Sequence, residues 1–227
     1  MAKNNYEGIN MKSFRKISKI SLNTTKPISK LFGFDRGTPI DRYYIEKFLA
    51  ENSQYIRGSV LEIAEDTYSK KFASGEIRQE ILHFDNTNPN ATIVGDLTKI
   101  ETLPENTADC FICTQTFNFI YDVKSSLLGA KHLLKDGGVL LATVGGLSQI
   151  SRYDMDRWGD YWRFTDKSLE MLAKEAGFSK ASVIIYGNAM AATAFIQGLA
   201  QEDLKDLKML DETDEDYQII LGLVAKK

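Results

Sequence analysis

The chain has 227 residues, 43% of them hydrophobic and 26% charged, with a formal net charge of −3 at pH 7. That length buries a substantial core without a covalent staple and favours one domain with an extension. No apolar run approaches the roughly 20 residues needed to cross a bilayer, and the N-terminus has scattered lysines without the continuous apolar stretch of a secretory signal, so the expected location is the cytoplasm.

Charge is unevenly spread. Residues 1–40 carry eight Lys or Arg against Glu7 and Asp35, which leaves the remainder acidic. The chain is therefore read as a basic N-terminal arm, 1–40, followed by a domain over 41–227. The arm is either a solvated tail or a contact for an anionic partner.

The arm closes in the turn-like stretch 33–39. Asp41 is the predicted N-cap of a helix in which Tyr44, Ile45, Phe48 and Leu49 recur at helical spacing, ending before Asn52. Gly58 opens a buried strand over 59–65. A helix is expected over about 68–79, then strands over 80–85, 91–95 and 108–114. The only cysteines, Cys110 and Cys113, fall in the last of these, where residues three apart face opposite ways. With just His83 and His132 besides, neither a disulfide nor a metal site is expected.

A helix follows over 122–135, with Val123, Leu127, Ala130 and Leu134 on one face and Asp136-Gly137-Gly138 as its stop. A fifth strand runs over 139–144. Thr165 caps a helix with a stripe of Leu169, Leu172, Ala173 and Ala176, ended by Gly177. Strands over 181–186 and 217–225 flank an acidic segment expected to be a solvated helix and loop. Seven strands alternating with helices predict an α/β fold, a doubly wound, mostly parallel seven-stranded sheet with right-handed crossovers. Ligands of such sheets bind outside the carboxyl ends of the strands, where the strand order switches.

In this fold class the turn after the first strand, Ala64 to Tyr68 here, touches the cofactor, and the acid ending the second strand, Asp85, holds ribose hydroxyls. A carboxylate can accept from both hydroxyls in parallel; Asp85 also reads as a turn former before Asn86. Asp96 and Leu97 suit an adenine amino group and ring face, or a turn.

This order of motifs resembles the class I methyltransferases that use S-adenosylmethionine, over roughly 59–187. The resemblance is carried by Val60-Leu-Glu-Ile63, Asp85, Gly95-Asp-Leu97, Ala108-Asp-Cys-Phe-Ile112, Leu134-Lys-Asp-Gly-Gly-Val-Leu-Leu141 and Trp162-Arg-Phe-Thr165 with Ala176-Gly-Phe178. It implies S-adenosylmethionine as cofactor, with Glu62, Ala64, Glu65, Asp66, Asp85, Asp96, Leu97 and Gln115 as cofactor-binding residues. One departure stands out. The family's acid-x-Gly-x-Gly-x-Gly turn is here Glu62-Ile-Ala-Glu-Asp-Thr-Tyr68, without glycine, and glycine is what lets a backbone approach a ligand closely. Either binding is lost, or the turn takes a shape in which Glu65 or Asp66 receives the cofactor's ammonium and sulfonium charges. The missing glycines also argue against a nicotinamide or flavin enzyme, whose diphosphate needs close backbone amides.

A closer resemblance is to a bacterial subgroup of these proteins often found with glycosyltransferases, carried by Arg36-Gly-Thr-Pro-Ile-Asp-Arg42 and Ser151-Arg-Tyr-Asp-Met-Asp-Arg-Trp-Gly-Asp-Tyr-Trp-Arg163. In that subgroup the glycine-poor turn is ordinary, and a sugar or glycan acceptor is implied. The candidate acceptor-binding residues are Arg36, Tyr153, Arg157, Trp158, Trp162 and Arg163, the aromatics supplying flat apolar faces; equally, they could pack inward as a structural loop. Methyl transfer is an in-line displacement that depends mainly on alignment. For a hydroxyl acceptor a general base helps, and Asp154, Asp156 and His83 are the candidates; His83 also reads as a packed strand residue. Two other readings remain: a non-catalytic binding module of the same fold, and an RNA-modifying enzyme using the basic arm, which the acidic remainder argues against.

Overall fold

The structure, a computed structural model, describes residues 24–227. The expected arm over 1–40 therefore lies largely outside the described residues. What is described of it belongs to the domain: Ile28 and Ser29 donate to the Gln197 carbonyl, Ser29 is buried, and Phe32 lies against Phe195 with ring centroids 6.0 Å apart.

Seven strands form one sheet in the order β3-β2-β1-β4-β5-β7-β6. They are β1 (Gly58–Ile63), β2 (Ile77–His83), β3 (Ile93–Val94), β4 (Ala108–Thr114), β5 (Leu134–Gly145), β6 (Lys180–Tyr186) and β7 (Ile220–Lys226). The first five pair in parallel, and β7 runs antiparallel between β5 and β6. The helices are α1 (Ile40–Glu51), α2 (Thr67–Phe72), α3 (Val123–Leu133), α4 (Arg152–Met155), α5 (Asp166–Glu175) and α6 (Ala189–Ile196). The doubly wound, mostly parallel seven-stranded sheet expected from the strand and helix alternation is what the chain forms. Among the described residues no helix is long and apolar enough to cross a membrane.

Two buried clusters cover the two faces. Leu61, Phe111, Leu140, Ala142 and Leu223 join α3 and α5 on one side; Val60, Ile112, Leu141 and Ile220 join α1 and α6 on the other. Strand side chains alternate between faces, so Cys113 falls in the first cluster and Cys110 in the second, both fully buried.

Several local expectations are corrected. Pro39, not Asp41, stands at the N-cap of α1, and Asp41 turns its Oδ1 to the Arg42 amide at 2.8 Å. The helix expected over 68–79 is only α2, because β2 starts at Ile77, where parallel pairing gives every residue of β1 a partner from Ile77 to Leu82. The strand expected over 91–95 shrinks to two residues at the sheet edge. Asp122 caps α3, accepting from the Ser125 amide at 3.0 Å, but the chain leaves the helix at Leu133, and Leu134 already pairs with Ala108. Thr165 caps α5 in a capping box with Ser168, as read from sequence, and Gly177 follows its end at φ 76°. The acidic segment is not simply solvated: Asp203 and Glu202 hold Arg36 and Thr38, and Asp211 holds Tyr43 and Lys47. Helix α6, almost entirely apolar, was not anticipated.

Candidate active site

In this strand order the topological switch lies between β1 and β4, whose chains turn away to opposite sides and leave a crevice at their carboxyl ends. The two residues bordering it are both non-glycine residues in the left-handed region: Ala64 at φ 65° and Gln115 at φ 47°. Each costs about 1–2 kcal/mol relative to an ordinary conformation and is held there by its neighbours. The Ala64 amide donates to the Leu82 carbonyl at 2.9 Å, its carbonyl accepts from Asn88 Nδ2 at 2.7 Å, and the Gln115 amide donates to the Thr143 carbonyl at 2.8 Å. Ala64, at the position of the first glycine of the usual turn, thus takes a left-handed backbone of the kind glycine favours.

The remaining turn is supported from beneath. Glu62, 2% exposed, accepts from the amides of Tyr68 (3.1 Å) and Ser69 (2.7 Å), so it holds the first turn of α2. Burial pushes its pKa up to about 7, against the lowering effect of those amides. Tyr68, in the place of the third glycine, is a buried residue of α2 that packs in the same cluster as α1. Its hydroxyl accepts from Arg42 Nη1, and the Arg42 guanidinium lies 5.7 Å from its ring centre. Burial raises the phenol pKa to about 12 despite that guanidinium.

From Thr114, Gln115 and Gly145 a cavity of about 890 Å³, including its open mouth, extends over the carboxyl ends of β4 and β5. Its walls include the strap carrying Phe32 and Phe34, the first turn of α1 with Asp41 and Arg42, Tyr68 of α2, Asn118 and Phe119 after β4, Phe195 of α6, and the segment 148–163. That segment is pinned by Asn118, which is 3% exposed. Asn118 Nδ2 donates to the carbonyls of Trp162 (2.7 Å) and Gly145 (3.3 Å), and its Oδ1 accepts from the Gly145 amide (3.1 Å).

Within the segment, Ser151 caps α4 and its Oγ donates to Asp154 Oδ2 at 2.6 Å. Asp154 is 5% exposed, and burial raises its pKa. Asp160 accepts from both terminal nitrogens of Arg163, at 2.5 and 2.9 Å, and from the Ser151 amide at 3.0 Å. Asp41 on the opposite wall is likewise raised by burial, with the Arg42 charge opposing.

The structure therefore brings Gln115, Tyr153, Asp154 and Arg163 to one cavity. The other candidates stand elsewhere. Asp156, Arg157, Trp158 and Trp162 lie on the outer side of the segment: Asp156 is exposed, Arg157 covers the Tyr153 ring at 3.5 Å, Trp158 meets Phe84 edge to face at 5.8 Å, and Trp162 stacks on Tyr121 at 5.8 Å. Arg36 is not among the residues lining the cavity; it is bidentate on Asp203 at 2.8 and 2.6 Å, tying the strap to the domain. His83 is outside the cavity, with Nδ1 2.9 Å from the Asp85 carbonyl.

Of the cofactor candidates, Ala64, Glu65 and Asp66 border a second depression beside α2. Asp85 lies just past β2, where its Oδ1 accepts from the Thr87 amide at 3.0 Å. Asp96 accepts from the Thr98 amide at 2.9 Å, while Leu97, 5% exposed, packs with Leu103 and offers a ligand little surface.

Asp41, Arg42, Phe34, Asn118 and Ser151 were missed. The signal for three of them was on hand, since Asp41 and Arg42 close the motif that begins at Arg36, and Ser151 opens the one that ends at Arg163. Which members of each motif face inward depends on helix phase and on partners distant in sequence.

Residues 54–142 match a family model described as a methyltransferase domain. A search of the curated proteins finds no match. Among solved structures, the chain is similar to a SAM-dependent methyltransferase from Archaeoglobus fulgidus (11% identity, 82% of this chain and 94% of that one, TM-score 0.53). It is also similar to a phosphoethanolamine N-methyltransferase of Haemonchus contortus, solved with phosphomonomethylethanolamine and S-adenosylhomocysteine (15% identity, 80% and 52%, TM-score 0.50). A third is a protein of Bordetella parapertussis described as possibly exported (13% identity, 86% and 71%, TM-score 0.52). At these identities the likeness is one of fold.

Proposed function

We propose that this chain is a methyltransferase that uses S-adenosylmethionine, binding it in the crevice between β1 and β4 and its acceptor in the adjoining cavity. The observation that carries the reading is the pair of left-handed residues at the switch point, Ala64 and Gln115, within a segment that matches the methyltransferase domain family. The donor set fits the cofactor: Asp85 is the candidate for the ribose hydroxyls, Asp96 for the adenine amino group, and Glu65 or Asp66 for the ammonium, and carboxylates suit a ligand that is cationic and lacks phosphate. When bound, that cofactor supplies a methyl group on a positively charged sulfur. The chain's own part is alignment: the Asn118 clamp fixes segment 148–163, and with it Tyr153 and Asp154, over the carboxyl ends of β4 and β5. Fixed placement of this kind is the largest lever on an in-line displacement.

The acceptor is proposed to have a sugar-like body, as the subgroup resemblance implies. Supporting this, the cavity wall combines the Tyr153 ring with the polar side chains of Gln115, Asp154 and Arg163.

The reading is tested by calorimetric titration of the protein with S-adenosylmethionine and with S-adenosylhomocysteine, repeated on Asp85→Ala. Micromolar binding weakened at least several-fold by the substitution is expected. Absence of binding by both ligands would refute the enzyme reading and favour a binding module of the same fold.

A further inference from the structure

We infer that the group methylated is an amine, bound as an ammonium ion against Asp154, which takes up its proton. The inference rests on the methyltransferase reading and adds the class of the reacting atom.

It follows from the charges on the cavity wall. Three carboxylates, Asp41, Asp154 and Asp160, face two guanidiniums, Arg42 and Arg163. Asp160 and Arg163 neutralise each other through two short bonds, and Arg163 spends a further donor on the Gln149 carbonyl at 2.7 Å. Arg42 is the sequence neighbour of Asp41, donates to the Tyr68 hydroxyl, and lies within 6.0 Å of the Phe34 ring centre. Among the described residues Asp154 alone of the three has no guanidinium bonded to it or next to it in sequence. Its hydrogen-bonding side-chain partner is the neutral hydroxyl of Ser151, and among the described residues no Lys or Arg forms an ion pair with it. Arg157, close in sequence, bonds to the Tyr153 carbonyl and covers its ring; its charge and that of the chain's N-terminus act on Asp154 less than burial does.

A buried carboxylate with no cation bonded to it is expensive unless a ligand supplies one. The space before Asp154 is walled by Phe32, Phe34, Phe119 and Tyr153, and such rings attract an ammonium through their faces. A hydroxyl acceptor would leave the charge of Asp154 uncompensated. In the reaction, Asp154 accepts one N–H proton, and the freed nitrogen pair forms the new C–N bond as the carbon–sulfur bond breaks with its electrons staying on sulfur. The proton then passes from Asp154 to solvent. The raised pKa of Asp154 suits a group that must hold a proton transiently.

The test compares matched probes by calorimetry at neutral pH with S-adenosylhomocysteine present: glucosamine against glucose, and benzylamine against benzyl alcohol. The expected result is that at least one amine binds roughly ten-fold or more tighter than its alcohol, and that Asp154→Asn abolishes the preference while keeping its affinity for S-adenosylhomocysteine. Alcohols binding as well as amines, or no amine binding to a protein that does bind S-adenosylhomocysteine, would overturn the inference. Should Asp154→Asn fail to fold, the amine-to-alcohol ratio of the native protein decides. An amine preference in a protein that does not bind S-adenosylhomocysteine would refute the methyltransferase reading and leave the ammonium site standing.

Discussion

Asn118→Ala isolates the device that holds the cavity together. The side chain is buried and makes three hydrogen bonds, two to Gly145 at the carboxyl end of β5 and one to the Trp162 carbonyl. At about 1 kcal/mol net per bond, with an added penalty where buried partners are left without water, the loss should be about 2–4 kcal/mol. Asn88→Ala is the control: at a half-buried site Asn88 donates to the Ala64 carbonyl and accepts from the Asn90 amide in an exposed bond, with an expected loss of about 1 kcal/mol. Urea unfolding followed by far-ultraviolet circular dichroism measures both, and an unchanged slope shows that the denatured state is the same. Because the Trp162 carbonyl is a partner, the Asn118 variant should also lose acceptor binding before it loses S-adenosylhomocysteine binding. A loss below about 1 kcal/mol for Asn118→Ala, or equal losses for the two variants, would show that segment 148–163 is held by its own packing and not by this clamp.

Two further outcomes are expected. Glu62 has a folded-state pKa of about 7, raised above its unfolded value; its stabilising contribution is therefore fully present below the unfolded pKa and is lost as pH rises through 7. The stability of the native protein relative to Glu62→Gln should fall by on the order of 2–3 kcal/mol between pH 5 and pH 8, and parallel stability curves for the two proteins would contradict this. Arg36→Ala leaves the buried Asp203 carboxylate without its guanidinium and should destabilise by about 3 kcal/mol while leaving amine affinity within two- or three-fold; a selective loss of acceptor binding at unchanged stability would return Arg36 to the site.

The sequence by itself determined the layer architecture. Strand signals such as the run 108–114 and the capping residue Thr165 are local, each written within a few residues of where it acts, and the structure keeps them. The boundaries of β2 and α2 were not local. Pairing with β1 claimed residues 77–79, which had looked helical. The same division runs through the site. The two motifs at 36–42 and 151–163 were visible as strings, but a string does not say which side chains meet. Arg36 finds its acid 167 positions away at Asp203, Tyr68 meets Arg42 across two helices, and Asn118 joins β5 to a segment 44 residues further on. The left-handed backbone of Ala64 likewise depends on Leu82 and Asn88, so the absence of glycine in the turn did not decide its shape. Partners brought together by the sheet and its crossovers, and not by proximity in the chain, determine where charge is paired.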